Sequence, residues 1–377
     1  MNRRFAKSER PAKLTAMDEA KKNRFPEEAS QVVAPCADLA TTLDFFMREL
    51  GFHLEMIFPA DRPRVAVIAG RGVRLRLDAK AAGSPVTLRL PCEPSEEPRV
   101  LIAPGGTTID LVSPLAPVEV PPLRPEFVLV DPPASDAWNT GRAGMLYRDL
   151  IPGRLGGRFI ASHIRIPDGG PVPDYVHFHR VRFQMIYCRR GWVRVVYEDQ
   201  GPPFTLDAGD AVLQPPGIRH RVLECSPGLE VVELSSPAEH ATYTDPDLDL
   251  PNDDVRPEAL FGGQCFVRHQ AQRAAWKSDR WPSFESRDIG FGHATGGLAD
   301  ARVLRLRAPT ESTDLTHTDE LLFLFALRGH ATLCDDEGGD HPLAEAASAA
   351  IPPDRPFTLS SPSEDLTLLR VQVSQET

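Results

Sequence analysis

The chain has 377 residues, more than one ordinary core accommodates, and a net charge of −11, which excludes nonspecific nucleic-acid binding through a basic footprint. It is 41% hydrophobic and 25% charged, the balance of a soluble globular protein. No apolar run reaches the ~20 residues that span a bilayer, so no membrane partner is expected.

The 37 prolines and many short Val-, Leu- and Ile-rich segments predict a β-rich chain with frequent turns. Cys36, Cys92, Cys188, Cys225, Cys265 and Cys334 form no CxxC pair. They read as reduced thiols, and a cytoplasmic location is expected. Residues 1–30 mix Lys, Arg, Glu and Asp with few apolar side chains and read as a disordered tail.

Residues 31–113 form a first unit. "QVVAP" predicts a strand. "ADLATTLDFFMRELGF" predicts an amphipathic helix with Leu39, Leu43, Phe46, Met47 and Leu50 on one face and Gly51 as its cap. The strands "HLEMIFP", "RVAVIAG" and "VRLRLDA" follow, and "TTIDLVS" closes the unit. The helix ending and the "GGTTIDL" segment resemble one βαβββ module of the vicinal oxygen chelate superfamily, the glyoxalase and bleomycin-resistance type. By that resemblance Asp110 stands where the family places a glutamate ligand, but Val32, Val33 and Ala34 offer no donor. A metal-free packing module is the expectation.

Residues 114–140 hold seven prolines and read as a linker or surface strap, with "EFVLV" as one candidate strand. Residues 141–245 are a series of short strands with turn signals every ~8–12 residues, as in a sandwich or barrel. Residues 246–300 read as an irregular wrapping segment. Residues 301–377 repeat the strand pattern.

The repeat is specific. "MIYCRRGWVRV" aligns with "FLFALRGHATL", Gly191 on Gly329, and "GDAVLQPPGIRH" aligns with "ASAAIPPDRPF". In the first copy Gly170, His177, His179, Gln184 and Gly191 form one motif, and Gly209, Pro215, Gly217 and His220 form a second. Two histidines at i, i+2 on a strand share a face, and the second motif brings a third imidazole from a neighbouring strand. Three imidazoles suit Fe, Ni, Cu, Zn or Mn. The two motifs resemble the cupin superfamily, which implies jelly-roll barrels. The expected fold is mainly β: two cupin jelly-roll β-barrels preceded by the small α+β module. The second copy has Leu315, His317, Leu322 and Phe357 at the motif positions and is expected to be structural.

Gln184 stands where the family has a ligating or basic glutamate. An amide cannot take a proton. It is a candidate either to donate to a substrate or metal-bound oxygen, or to hydrogen-bond within the core. Cys188 either lines the pocket or is a buried inert thiol. Arg182 and Arg219 flank the motifs and are candidates to hold a substrate carboxylate, with a solvated surface role as the alternative. On the following strand the apolar set Val193, Val195 and Tyr197 is the better candidate for the interior face.

The architecture also resembles the two-cupin ring-cleaving dioxygenases of the gentisate type. That resemblance implies Fe(II) on His177, His179 and His220, an oxygenase activity, and a small anionic aromatic or enolic acid as substrate. The alternatives are a non-oxidative metal-dependent isomerase or lyase, which needs a base other than Gln184, and a non-catalytic binding protein. A homodimer is expected by analogy with both families.

Overall fold

The computed structural model describes residues 29–93, 95–113, 117–134, 138–307 and 312–375. Most of the expected tail, residues 1–28, lies outside the described residues. The chain divides between Pro117 and Val118 into two compact units.

In the first unit, β1 (Val32–Pro35) leads into helix α1 (Leu39–Leu50). The Asp38 side chain accepts from the Thr41 N–H at 3.2 Å, and Gly51 ends the helix at φ 70°, a conformation that favours glycine. Leu39, Thr42, Phe46 and Leu50 are buried, whereas Met47 is exposed. Leu43 packs against the same core, so of the expected face only Met47 departs. Strands β2 (His53–Phe58), β3 (Val65–Gly70) and β4 (Val73–Asp78) follow. They form a sheet of order β1-β4-β3-β2, with β1 parallel to β4.

The closing strand lies where expected. Strand β7 (Thr108–Val112) joins β5 (Thr87–Pro91) and β6 (Arg99–Ile102) in a separate sheet of order β5-β7-β6. Leu88, Leu90, Ile109 and Leu111 alternate onto one face and share a core with Phe46, Ile68 and Leu75. Strand β5, which ends in Pro91, and strand β6, which follows Pro98, are short and carry no periodic signal in the sequence. Asp110 points off this core and lies 3.6 Å from Arg89. Among the described residues this unit holds no group of three metal-ligating side chains.

The second unit contains two barrels. Strand β8 (Val128–Val130) comes first, within the expected strap. The first barrel then uses β9 (Asn139–Thr140), β10 (Leu146–Asp149), β11 (Ile160–Ile166), β12 (Gly170–Pro171), β13 (His177–His179), β14 (Phe183–Arg190) and β15 (Trp192–Tyr197). It is completed by β16 (Phe204–Asp207), β17 (Ala211–Leu213), β18 (His220–Cys225), β19 (Leu229–Ser236) and β20 (Thr242–Thr244). One sheet runs β17-β14-β19-β11-β10-β9, extended beyond β17 by Val267–His269; the facing sheet runs β16-β15-β18-β13-β20.

The second barrel repeats this order. Its larger sheet runs through residues 299–306, 367–373, 321–328 and 348–351, and its smaller one through 340–344, 330–335, 357–360 and 312–315. Two facing antiparallel sheets of this strand order make each barrel a jelly roll. The segment 246–300 is less irregular than expected. Val267–His269 extends the first barrel, while Phe284–Asp288 is a strand of the second. Strand β8 also pairs with the second barrel, through Ser348–Ala350.

Alternation along β14 explains how the barrels join. Phe183, Met185 and Tyr187 face a core shared with Leu321, Phe323, Phe325 and Val371 of the second barrel. Gln184 and Ile186 face the opposite way, into the first barrel's lumen.

Candidate metal centre

The three motif histidines meet inside the first barrel. Strands β13 and β18 are antiparallel, and His177 pairs directly with His220. His179 lies two residues along β13 and projects to the same side. The turn before β18 fixes His220: Gly217 adopts φ 80°, and its N–H donates to the His179 carbonyl at 3.1 Å. One ring nitrogen from each histidine lies within 4.8 Å of the others.

Each imidazole is oriented by its Nδ1. His177 donates to the Tyr175 carbonyl at 2.8 Å and His220 to the Ile218 carbonyl at 3.0 Å, while Nδ1 of His179 shares a hydrogen bond with the Thr242 hydroxyl at 2.9 Å. With Nδ1 carrying the proton, each Nε2 presents a lone pair. The Nε2 of His177 is buried with no hydrogen-bond partner. Buried polar atoms are normally satisfied, so this one fits a metal ligand. Burial holds all three rings neutral. It lowers His177, takes His179 down to about 3 with help from His177, and takes His220 well below the ordinary histidine range. Neutral imidazoles whose nitrogens lie this close together are what a divalent ion of the first transition row binds. The residues therefore fit a metal.

The histidines sit at one end of a cavity of about 430 Å³. Its walls are mostly apolar, among them Ile164, Ile186, Val193, Val195 and Val231. The apolar face of β15 is thus the interior one. Its polar residues include Gln184, Glu233, Arg142, Gln214 and Tyr197. Gln214 donates to the Tyr197 hydroxyl at 3.0 Å, and burial pushes that phenol far up.

Gln184 is 2% exposed and donates to Oε1 of Glu233 at 2.8 Å. Of the two roles expected for Gln184, this is the hydrogen bond to a neighbour, and the neighbour is a carboxylate. The carboxylate is present, on the adjacent strand, with the amide as its donor. A periodic signal for it existed: Leu229, Val231 and Glu233 alternate along "LEVVELS", and all three line the cavity.

The two candidate arginines are placed elsewhere; neither is among the cavity-lining residues. Arg182 is buried and pairs with Glu320 of the second barrel, which also binds Arg158. Arg219 follows the turn but, next to His220, it projects to the opposite face. It binds Asp245 at 3.1 Å and lies over the Phe178 ring at 4.4 Å. Arg142 is the arginine that lines the cavity, held by Asp174 at 2.8 Å. It opens a three-residue 3-10 turn, Arg142–Gly144, too short for a periodic pattern, so the sequence offered no signal for it. Cys188 is fully buried outside the lining, and burial pushes its thiol up to about 12.

No family model and no curated protein matches the sequence. Solved structures do resemble it. A mutant of Bacillus subtilis oxalate decarboxylase aligns with a TM-score of 0.48 and 12% identity, covering 64% of this chain and 76% of that one. A salicylate 1,2-dioxygenase from Pseudaminobacter salicylatoxidans aligns at 0.49 and 14%, covering 70% and 88%. Protein Ylba from E. coli aligns at 0.46 and 10%, covering 69% and 96%. No helix among the described residues is long and apolar enough to cross a membrane.

Proposed function

We propose that the first barrel holds a divalent metal on His177, His179 and His220, and that the protein is a metal-dependent oxygenase of the two-cupin kind. The substrate class is a small aromatic or enolic acid, and Fe(II) is the metal. The supporting observation is the buried, unpartnered Nε2 of His177, which lies with two other neutral imidazoles at the end of an apolar cavity. A bound divalent ion would supply Lewis acidity there, and iron would add reactivity toward O₂.

The chain's own residues supply binding and orientation. Val193, Val195 and Ile186 accept an apolar or aromatic body and exclude water. Arg142 offers a cation to a substrate carboxylate in place of Arg182 and Arg219. Tyr175, Ile218 and Thr242 hold the three rings in one tautomer.

Metal analysis of the purified protein tests the site. The wild type should retain a divalent ion through dialysis, and the His177→Ala, His179→Ala double variant should not. Equal metal in both would remove the proposal. Turnover of an enolic acid with Fe(II) should stop without O₂. A non-oxidative isomerase or lyase is the second reading, favoured by the carboxylate of Glu233 in the cavity. Activity that persists without O₂, and with zinc in place of iron, would select it.

A further inference from the structure

Glu233 combines three properties that its surroundings do not explain. It lines the same cavity as the histidines. Its Oε1 accepts from Gln184 at 2.8 Å and from the Ser235 hydroxyl at 3.4 Å. Among the described residues its Oε2 accepts no hydrogen bond, and no cation pairs with it. A half-buried carboxylate against apolar walls is costly when its partners are neutral. Such a group points to a ligand that supplies what the protein withholds.

The second barrel offers an internal control. In the first, Gln184 pairs with Ser235 and Ile186 with Glu233. In the second, Leu322 pairs with Gln372 and Leu324 with Arg370. The positions of Gln184 and Glu233 are therefore occupied by Leu322 and Arg370. Arg370 is neutralised by Asp279 at 2.8 Å. Where the three-histidine arrangement is absent, the amide and the open carboxylate are absent too.

We infer that Glu233 is the proton acceptor for a substrate bound at the three histidines, with Gln184 as its positioning residue. This rests on the metal-centre reading above. The substrate enters with its enol or phenol group protonated. Its O–H bond breaks, the electron pair stays on the substrate oxygen, and the proton forms an O–H bond with Oε2 of Glu233. No oxidant is consumed in this step. The proton returns to the product when a carbon or oxygen is reprotonated. Gln184 cannot take the proton itself, but its N–H fixes the carboxylate and leaves the second oxygen facing the cavity. The amide in the motif and the glutamate on β19 thus divide between them what a single glutamate would do.

The test uses the zinc-loaded full-length protein and maltol, a neutral enolone that binds metals as its anion. Titration calorimetry in two buffers of different ionisation enthalpy counts the protons released on binding. Glu233→Gln should release about one proton more per maltol than the wild type, because nothing in the cavity then retains it. Equal counts would overturn the inference. Infrared difference spectra of the wild type need no variant: a protonated-carboxyl C=O band should appear on binding, and its absence would overturn the inference even if Glu233→Gln fails to fold. Gln184→Leu should move the pH at which the proton is retained upward, since a carboxylate without its donor is a stronger base. An unmoved pH would remove Gln184 from the step. Failure of the zinc-loaded wild type to bind maltol, with no metal held by the histidines, would sink both the centre and this inference. Binding with equal proton counts would sink only the inference.

Discussion

The two barrels share a strand order and differ in what fills them. Their turns correspond closely. Gly191 and Gly329 adopt φ 75° and 72°, Gly209 and Ala346 adopt 96° and 67°, and Gly217 and Asp354 adopt 80° and 60°. Ala346 and Asp354 keep a left-handed conformation that costs a non-glycine residue about 1–2 kcal/mol. The backbone path has outlasted the residues best suited to it. The interiors diverge instead. His177, His220, Gln184 and Glu233 of the first correspond to Leu315, Phe357, Leu322 and Arg370 of the second. Trp281, Phe284 and Phe357 pack among Leu304, Leu324 and Leu368 to fill the second lumen. The remaining histidine, His317, donates to the Ile351 carbonyl at 3.0 Å. The fold is held by strand order and turn conformation, and chemistry resides in a few inward side chains.

The largest effect that would break this comparison is loss of metal from one barrel alone. His220→Ala should reduce bound divalent metal from about one per chain to a trace, because two imidazoles cannot hold it through dialysis. His317→Ala should leave the content unchanged. A fall in both variants, read by elemental analysis, would show that the barrels are not divided in this way. Next in size is the plug of the second barrel. Trp281 is 5% exposed and meets the Phe357 ring at 6.0 Å, with Arg370 over its face at 4.7 Å. Trp281→Ala should cost about 3–5 kcal/mol in denaturant unfolding while leaving metal content intact. A loss below about 1 kcal/mol would mean that the lumen collapses freely around the gap.

Much of this contrast was legible in the sequence. The histidine spacing and the Pro-Gly turn specify one strand face and one neighbouring strand, so local rules suffice for them. The apolar set of β15 faces inward as its composition suggests. Other parts depend on partners that spacing does not encode. Arg182 and Arg219 flank the motifs in sequence, yet alternation and ion pairing turn them toward Glu320 and Asp245. Arg142 sits in a single 3-10 turn before β10, where no period identifies an inward residue. Glu233 required a decision about which face of β19 is interior. Within the first unit, β5 and β6 are too short for a periodic signal, so the second sheet, which they form with β7, was not legible.

A smaller effect separates the barrels by pH. Glu230 on β19 binds His163 at 3.0 Å and pairs with Arg189. Burial opposes its charge, but His163 and Arg189 together hold its carboxyl at about 2 against an ordinary 4.5. The corresponding residue of the second barrel is the uncharged Thr367. The folded value lies below the unfolded one. The pair therefore stabilises fully above pH 4.5 and loses its contribution as the pH falls toward 2. Between those limits the loss should be on the order of 1–3 kcal/mol. Glu230→Gln should flatten that limb in urea titrations of the metal-free protein, and an unchanged limb would place the acid sensitivity elsewhere.

The smallest effect concerns a strand that only the first barrel has among the described residues. Strand β20 pairs with β13 through His177–Thr244, Phe178–Tyr243 and His179–Thr242. The equivalent strand of the second barrel, residues 312–315, pairs with 357–360 on one side and with no strand on the other. Thr242 thereby places its hydroxyl 2.9 Å from Nδ1 of His179. An accepting group at Nδ1 fixes the tautomer and makes Nε2 a better donor to a metal. Thr242→Val keeps the shape and removes the acceptor. It should weaken zinc affinity about tenfold, the lower end of such effects because the contact is open to water. Thr242→Ser, which restores a hydroxyl, should recover most of it in competition with a chromogenic chelator. Equal affinity for Val and Ser would mean that β20 serves His179 by strand pairing alone, and the hydroxyl would then have no part in the difference between the barrels.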